Sequence, residues 1–212
     1  MRILYSAIAS LLLISCTKKE IFVPQSDVSL VTEITDFTPV SMLFETSKDG
    51  EINIDVKNKG LITQTHWIFE IDKRLPLKLV IPEVEKLQAK KRKNAEAKML
   101  DNYFTYMDTL HKKVAYMPFT VVSFAKNNSE LEQNAQPLNL KITREGEVKV
   151  GDEVLNLLTI NDYLNQKYKE QQLTIYLEFD ENLSFEKYLQ TKLNLAKINV
   201  PNVRISTIEV VY

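Results

Sequence analysis

The sequence contains one cysteine, two histidines and four glycines among 212 residues. A disulfide or a metal site built on several cysteines is therefore not predicted. Four glycines are too few to suggest loops that cradle phosphate, and the two histidines, His66 and His111, lie in no metal-binding motif. The formal net charge of −1 provides no global field that would attract nucleic acid. We predict no metal, no cofactor and no nucleic-acid partner.

The single cysteine, Cys16, ends a secretory signal that occupies residues 1–15. The apolar run at 3–14 is shorter than the roughly twenty residues of a membrane-spanning helix. The alternative is a free buried cysteine in a membrane anchor. Leu13-Ile14-Ser15-Cys16 resembles the lipobox of bacterial lipoproteins, which implies cleavage before Cys16 and its acylation. Since Thr17 follows instead of Asp, the resemblance also implies an outer-membrane lipoprotein. We predict that it faces the periplasm, and exposure on the cell surface is the alternative.

The last forty or so residues predict a strand, a helix and a second strand, which together form a βαβ unit. Residues 173–180 alternate apolar and polar, and apolar residues recur at helical spacing between Phe185 and Leu195. Residues 203–212 form the final strand, a candidate edge strand that could make a contact. Pro201 stops the helix before this strand begins.

Two pairs of similar segments indicate that the chain contains one module twice. Segment 44–54 aligns with 140–150, and both read as two alternating strands around an acidic-Gly turn. Segment 68–77 aligns with 176–185, where a strand ends in an Asp-led phrase. The second copy has a longer connection, which a helix at 159–171 would fill, with Thr159 or Asn161 as its cap.

These repeats predict an α+β fold with two small tandem modules. Each is a β-hairpin plus a βαβ unit, with helices on one face of a mixed sheet. The predicted divisions are a signal peptide (1–15), a tether (16–38), a first module (39–127), a linker (128–137) and a second module (138–212). We also predict a short strand at 28–33 in the tether and a strand at 119–125 that ends the first module.

In the first module no glycine or proline occurs between Pro82 and Pro118, and we predict a long helical insertion at 83–113. A helical hairpin that breaks near Asn94 is the alternative. The middle of the insertion carries a basic cluster, which consists of Lys90, Lys91, Arg92 and Lys93. This cluster is either a solvated face or a contact for anionic headgroups, lipopolysaccharide or peptidoglycan carboxylates.

The order of elements and the phrase Asp72-Lys73-Arg74-Leu75-Pro76-Leu77 resemble the periplasmic domain of the ExbD/TolR family of biopolymer-transport proteins. The family-like strand-end residues here are Asp72, Lys73, Leu75, Pro76, Asp180 and Leu183. The resemblance implies domains that work as dimers and contact TonB-like partners or peptidoglycan. Family members also carry an intramembrane Asp for proton flow, whereas the first acidic residue here, Glu20, lies outside the apolar run.

No residue is predicted to be catalytic, since strand-end and capping roles account for the carboxylate pairs Glu70/Asp72 and Glu178/Asp180. The leading hypothesis is a non-enzymatic, lipid-anchored envelope protein that binds another envelope protein or peptidoglycan. It would be an accessory of a TonB- or Tol-like machine, with its tandem modules acting as an intramolecular pseudo-dimer. The alternatives are a scaffold lipoprotein of an unrelated envelope or secretion assembly and, more remotely, a cell-wall hydrolase.

Overall fold

The computed structural model describes residues 20–93, 100–127, 136–168 and 171–212. The predicted signal peptide, Cys16 and the start of the tether lie outside the described residues, as does most of the predicted linker. In the described part of the chain, no helix has both the length and the apolar composition that crossing a membrane requires.

The described residues form twelve strands, three α-helices and one 3-10 turn at Leu157–Thr159. The strands are β1 (Gln25–Ser26), β2 (Phe37–Thr46), β3 (Ile52–Lys57), β4 (His66–Ile71), β5 (Asn102–Asp108), β6 (Lys113–Pro118), β7 (Ser123–Ala125), β8 (Gln136–Ile142), β9 (Val148–Val150), β10 (Glu153–Leu155), β11 (Leu173–Phe179) and β12 (Val203–Val211). The helices are α1 (Leu77–Lys93), α2 (Ile160–Tyr168) and α3 (Phe185–Leu195).

The strands form two mixed sheets of six strands each, which confirms the predicted α+β fold with two tandem sheet modules. The first sheet has the order β1-β5-β4-β2-β3, with β6 also paired to β5, and the second has the order β10-β9-β8-β11-β12-β7. Both contain one shared arrangement: a hairpin whose first strand is parallel to a central strand, which is parallel to the next strand in the chain. We call the two units the first and the second module.

The two predicted hairpin turns share one hydrogen-bond pattern. The Ser47 N–H donates to the Glu51 carbonyl over 2.9 Å, and the Thr143 N–H donates to the Glu147 carbonyl over 3.0 Å. Gly50 has a φ of 82° and Gly146 a φ of 85°. Because residues with a Cβ rarely adopt such angles, these turns need glycine, and the acidic-Gly signal is confirmed.

The predicted βαβ unit at the end of the chain is also confirmed. Strand β11 pairs in parallel with β12, and α3 connects them. The Ser184 side chain accepts a hydrogen bond from the Lys187 N–H and caps α3. Helix α2 covers Ile160–Tyr168 of the predicted 159–171, and residues 169–170 lie outside the described residues. The 3-10 turn before it is capped by Asn156, not by Thr159 or Asn161.

The predicted long helix at 83–113 is wrong. Helix α1 begins earlier, at Leu77, and ends at Lys93, and residues 100–118 contain β5 and β6. The alternative break near Asn94 falls outside the described residues, but strands follow it where a second helix was expected. In β5, Phe104 and Tyr106 are two residues apart and both are completely buried, as expected for the inward face of a strand. Leu110, which a helix would have placed on the same apolar face, lies in the turn after β5 and is 68% exposed. Apolar residues at 103, 104 and 107 fit helical spacing, but the aromatic and β-branched run is better suited to a strand.

Three further strand predictions need correction. In place of a strand at 28–33, the structure has β1 at Gln25–Ser26 and an isolated bridge at Val31. Of 119–125, only Ser123–Ala125 forms a strand, and this strand pairs with β12 in the second sheet. The strand that follows α1 in the first module is β5. Phe119 lies after β6, and its ring stacks on that of Phe104 with the centroids 3.7 Å apart. Strand β12 lies between β11 and β7 and is therefore not an edge strand.

A single hydrophobic core runs through both modules. Helix α3 contacts both sheets, since Tyr188 packs on Phe179 of β11 at 4.9 Å and Phe185 packs on Phe104 of β5 at 5.2 Å. Edge-to-face packing of this kind adds to the free energy gained from burial alone. The packing of α3 against β5 makes the two modules share one interior.

Candidate functional site

The modules join at two strand-end segments, which contain the six strand-end residues named in the sequence analysis. The first strand-end segment (72–77) follows β4, and the second (180–185) follows β11. Both open with the same local turn, in which an Asp side chain accepts a hydrogen bond from the N–H two residues later. This bond measures 3.1 Å from Asp72 to Arg74 and 2.7 Å from Asp180 to Asn182.

The two segments run antiparallel and exchange backbone hydrogen bonds. The Leu77 N–H donates to the Leu183 carbonyl over 3.0 Å, and the Phe185 N–H donates to the Leu75 carbonyl over 2.8 Å. Each residue of one bond is 108 positions from its counterpart in the other. Reciprocal contacts between the same two positions are what a two-fold axis produces at the interface of a dimer.

A second reciprocal pair lies outside the first. The Lys78 N–H donates to the Glu181 carbonyl over 2.8 Å, and the Glu186 N–H donates to the Lys73 carbonyl over 3.1 Å. These residues again differ by 108 positions. The N–H groups at the start of a helix have no partner within the helix, so this junction satisfies donors of both α1 and α3.

The centre of the junction is an antiparallel bridge between Pro76 and Ser184. Leu75 and Leu183 flank the bridge, and both are completely buried. Lys73 and Glu186 add an ion pair of 3.2 Å between the modules. The structure thus brings all six family-like strand-end residues to one place, which their separation in the sequence does not show.

The charged part of the first strand-end segment is a two-point ion pair. The Asp72 carboxylate is completely buried and accepts from Arg74 Nε and Nη2, each over 2.8 Å. Burial alone would raise the pKa of Asp72. Hydrogen bonds from the Arg74 side chain and from the N–H groups of Arg74 and Phe22 outweigh burial and lower this pKa. The second segment has Asn182 at the position of Arg74, so only the first module contains this pair.

The basic cluster does not form one surface, because Lys91 is only 1% exposed. Its ammonium group donates to the Leu100 carbonyl over 2.7 Å and to Asn102 Oδ1 over 2.9 Å, and it lies 5.0 Å from the Trp67 ring centroid. Burial lowers the pKa of Lys91 to about 8. The prediction that Lys91 contacts an anionic surface is therefore wrong.

The three other basic residues, Lys90, Arg92 and Lys93, are exposed at the end of α1. Periodicity explains the difference, since Lys91 is on the same helix face as the buried Val84 and Leu87. The role of the exposed residues at an anionic surface stays a prediction.

The carboxylate pairs on β4 and β11 have structural partners. Glu70 accepts a hydrogen bond from the Ser41 hydroxyl over 2.9 Å, and Glu178 accepts one from the Asn139 amide over 2.7 Å. In each module, the pairing therefore joins the central strand to the first hairpin strand. Asp180, like Asp72, caps a turn.

The histidines also lie beside structural partners. His66 Nδ1 accepts from the Asp101 N–H over 3.1 Å, and His111 Nδ1 lies 2.7 Å from Asp108 Oδ2. Hydrogen bonds from the backbone and ring of His111 lower the pKa of Asp108 to about 2. Among the described residues, no three His, Cys, Asp or Glu side chains are grouped so as to hold a metal ion.

Sequence reasoning missed a buried polar network between α3 and β12. The Glu209 carboxylate is completely buried, accepts from the Tyr188 hydroxyl over 2.8 Å and pairs with the Lys192 ammonium. Burial beside this carboxylate raises the pKa of Tyr188 well above its usual value. The available signal was weak: Tyr188 and Lys192 are four residues apart on a helix, and Glu209 occupies an otherwise apolar end of the last strand.

No family model matches the chain, and no curated protein matches it.

The shared core and the reciprocal junction predict that the two modules unfold together. Urea unfolding should show one transition by fluorescence and by circular dichroism. In hydrogen exchange, the amides of Leu77, Lys78, Phe185 and Glu186 should exchange only by global unfolding. Two separate transitions, or early exchange of these amides while both sheets stay protected, would contradict a single cooperative unit.

Substitution of Lys91 by Met should lower the free energy of unfolding by about 1–3 kcal/mol, because buried oxygen acceptors lose their donor. Lys93→Met, at the exposed end of the same helix, is the matched control and should change stability by less than about 0.5 kcal/mol. The lowered pKa of Lys91 implies that the unfolded chain binds more protons between about pH 8 and 10.5. The stability of wild type relative to Lys91→Met should therefore rise with pH across this window. Equal stability losses in the two variants would contradict the buried role.

Loss of Arg74 should make the protein more sensitive to acid. In wild type, Asp72 contributes stability above its usual pKa of 3.8 and loses it as the pH falls through the lowered folded-state pKa. In Arg74→Met, burial raises this pKa, so the acid-unfolding midpoint should move to higher pH. The free energy of unfolding at pH 7 should fall by about 1–3 kcal/mol. Arg144→Met, at an exposed hairpin turn, is the control. An equal shift of its acid-unfolding midpoint would contradict the role of the Asp72–Arg74 pair.

Proposed function

We propose that the chain is a non-enzymatic, lipid-anchored binding protein of the cell envelope. Its two modules act as an intramolecular pseudo-dimer that binds another envelope protein or peptidoglycan. In this proposal the protein is accessory to an energy-transducing complex of the TonB or Tol kind. The acyl anchor at Cys16 places it in the outer membrane, facing the periplasm.

The observation that carries this proposal is the reciprocal pairing of the two strand-end segments. The resemblance to the ExbD/TolR family rests on the first of these segments and implies domains that work as dimers. Here the same phrase pairs with its own repeat, 108 positions away, through four backbone hydrogen bonds. A pairing of this kind supports a binding module whose working unit is two domains.

A role in carrying protons is not part of the proposal. The family resemblance assigns that role to an Asp within a membrane helix, and the apolar run at 3–14 has no acidic residue. We propose a role in contacting a partner, for which the junction supplies a stable two-module body.

A second candidate function is a scaffold in an unrelated envelope or secretion assembly. Strand β10 ends the second sheet, and Val154 on this strand is 57% exposed. Leu158, three residues after β10, is 81% exposed. Exposed apolar side chains at a sheet edge are typical of surfaces that add another strand or another subunit. These residues lie outside the strand-end segments, so this candidate does not depend on the family resemblance.

The anchor and the partner are tested in one bacterial strain that expresses the full chain. Metabolic labelling with a fatty-acid probe should label wild type and Ser15→Ala, which keeps a small residue before the cysteine, but not Cys16→Ser. Wild type should fractionate with the outer membrane. An unlabelled wild type would contradict the anchor.

In-cell crosslinking of the labelled wild type, followed by purification and mass spectrometry, should enrich TonB-, ExbB- or Tol-like proteins or peptidoglycan fragments. The variant lacking Cys16 serves as the control for contacts made only at the membrane. Reproducible enrichment of a different envelope assembly would favour the scaffold and would contradict the leading proposal.

A further inference from the structure

A cleft of about 510 Å³ opens between α1 of the first module and the edge of the second sheet. We call it the intermodule cleft. One wall is formed by α1, with Leu77, Ile81 and Pro82, and the other by Phe124 of β7 and Val211 of β12. Its size is within the range of sites that bind small ligands or short peptide segments.

The reciprocal junction indicates which part of the first module corresponds to this cleft. Helices α1 and α3 begin at Leu77 and Phe185, which are counterparts across the junction. By the same spacing of 108 positions, the counterpart of Pro82 on α1 is Gln190 on α3. The counterpart of the intermodule cleft therefore lies where the first module borders Gln190 of α3.

In the first module that place is filled by an extended segment of the chain itself, 22–26. The Phe22 carbonyl accepts from the Lys73 N–H over 2.7 Å, and the Gln25 carbonyl accepts from Gln190 Nε2 over 2.9 Å. Between these points, the Pro24 carbonyl accepts from the Met107 N–H over 2.9 Å. The segment is uncharged and runs along α3 as it enters β1.

Among the residues that the structure describes, the second module contains only the beginning of this arrangement. The Tyr212 carbonyl accepts from the Glu181 N–H over 2.8 Å, as the Phe22 carbonyl accepts from the Lys73 N–H. Tyr212 thus corresponds to Phe22, and it lines the intermodule cleft together with Pro82. The cleft occupies the place that residues 23–25 take in the first module.

We propose that the intermodule cleft binds a short extended segment of a partner protein, apolar and uncharged, of the Phe-Val-Pro-Gln kind. The chemistry follows from the segment that fills the equivalent place and from the apolar walls of the cleft. The charged residues at the cleft, Lys78 and Lys126 against Glu85 and Glu181, balance in sign and favour an uncharged occupant. This inference rests on the proposed binding function, for which it names the chemical class of partner.

The probe is the capped hexapeptide Ile-Phe-Val-Pro-Gln-Ser, the sequence of residues 21–26, carrying a fluorophore. Fluorescence anisotropy is measured against the full acylated chain in nanodiscs. The peptide should bind saturably, and the same peptide with Asp in place of Phe and Val should not. Pro82→Arg places a long charged side chain in the cleft from an exposed helix position, and it should weaken binding about tenfold or more.

The matched control is Gln190→Arg, the same change in charge at the counterpart position, which should leave the affinity for the peptide unchanged. If Gln190→Arg abolishes binding and Pro82→Arg does not, the peptide displaces the chain's own segment, and the inference is overturned. Absence of saturable binding at millimolar peptide also overturns it.

Sedimentation of the same samples separates a partner peptide from a second copy of this chain as the occupant. A self-association that both the peptide and Pro82→Arg disrupt would assign the cleft to a second copy and overturn the proposal. Peptide binding by a chain that fractionates outside the envelope would contradict the proposed function and leave the inference standing.

Discussion

The structure depends on the antiparallel exchange of backbone hydrogen bonds between the two strand-end segments. Each segment must end a central strand, turn on an Asp side chain and begin a helix within six residues. The N–H groups at that helix start then have partners in the other module. Because these donors would otherwise lack a protein partner, the junction fixes where α1 and α3 begin.

This junction explains why two small sheets make one core. Helix α3 packs on both β11 and β5. The charged pair of Asp72 and Arg74 lies within the first strand-end segment, next to the junction. A module of about ninety residues buries a smaller share of its surface than the combined chain. The tandem arrangement therefore supplies within one chain the burial that separate domains would obtain by dimerisation.

The two copies differ at their outer strands, and this asymmetry is where the proposed peptide site lies. Strand β6 follows β5 in the first module as an antiparallel neighbour, whereas the parallel strand β7 pairs with β12 in the second. The segment before β1 fills the place beside α3, and the corresponding place beside α1 is the intermodule cleft. The two modules therefore share one hydrophobic core and differ in the surfaces that their outer strands offer to a partner.

The sequence by itself determined the two hairpins, since Gly50 and Gly146 adopt backbone angles that few other residues can. It also determined the final βαβ unit, whose alternation and helical spacing are local signals. Only the tertiary structure decided that Lys91 is buried, that residues 102–108 form a strand, and that β7 pairs in the second sheet. Local patterns are compatible with the first two outcomes, since Lys91 shares a helix face with Val84 and Leu87 and the run in β5 is aromatic and β-branched. Contacts between residues distant in the sequence decide all three outcomes. The junction itself is of this kind, because two similar phrases show a repeat but not that they meet.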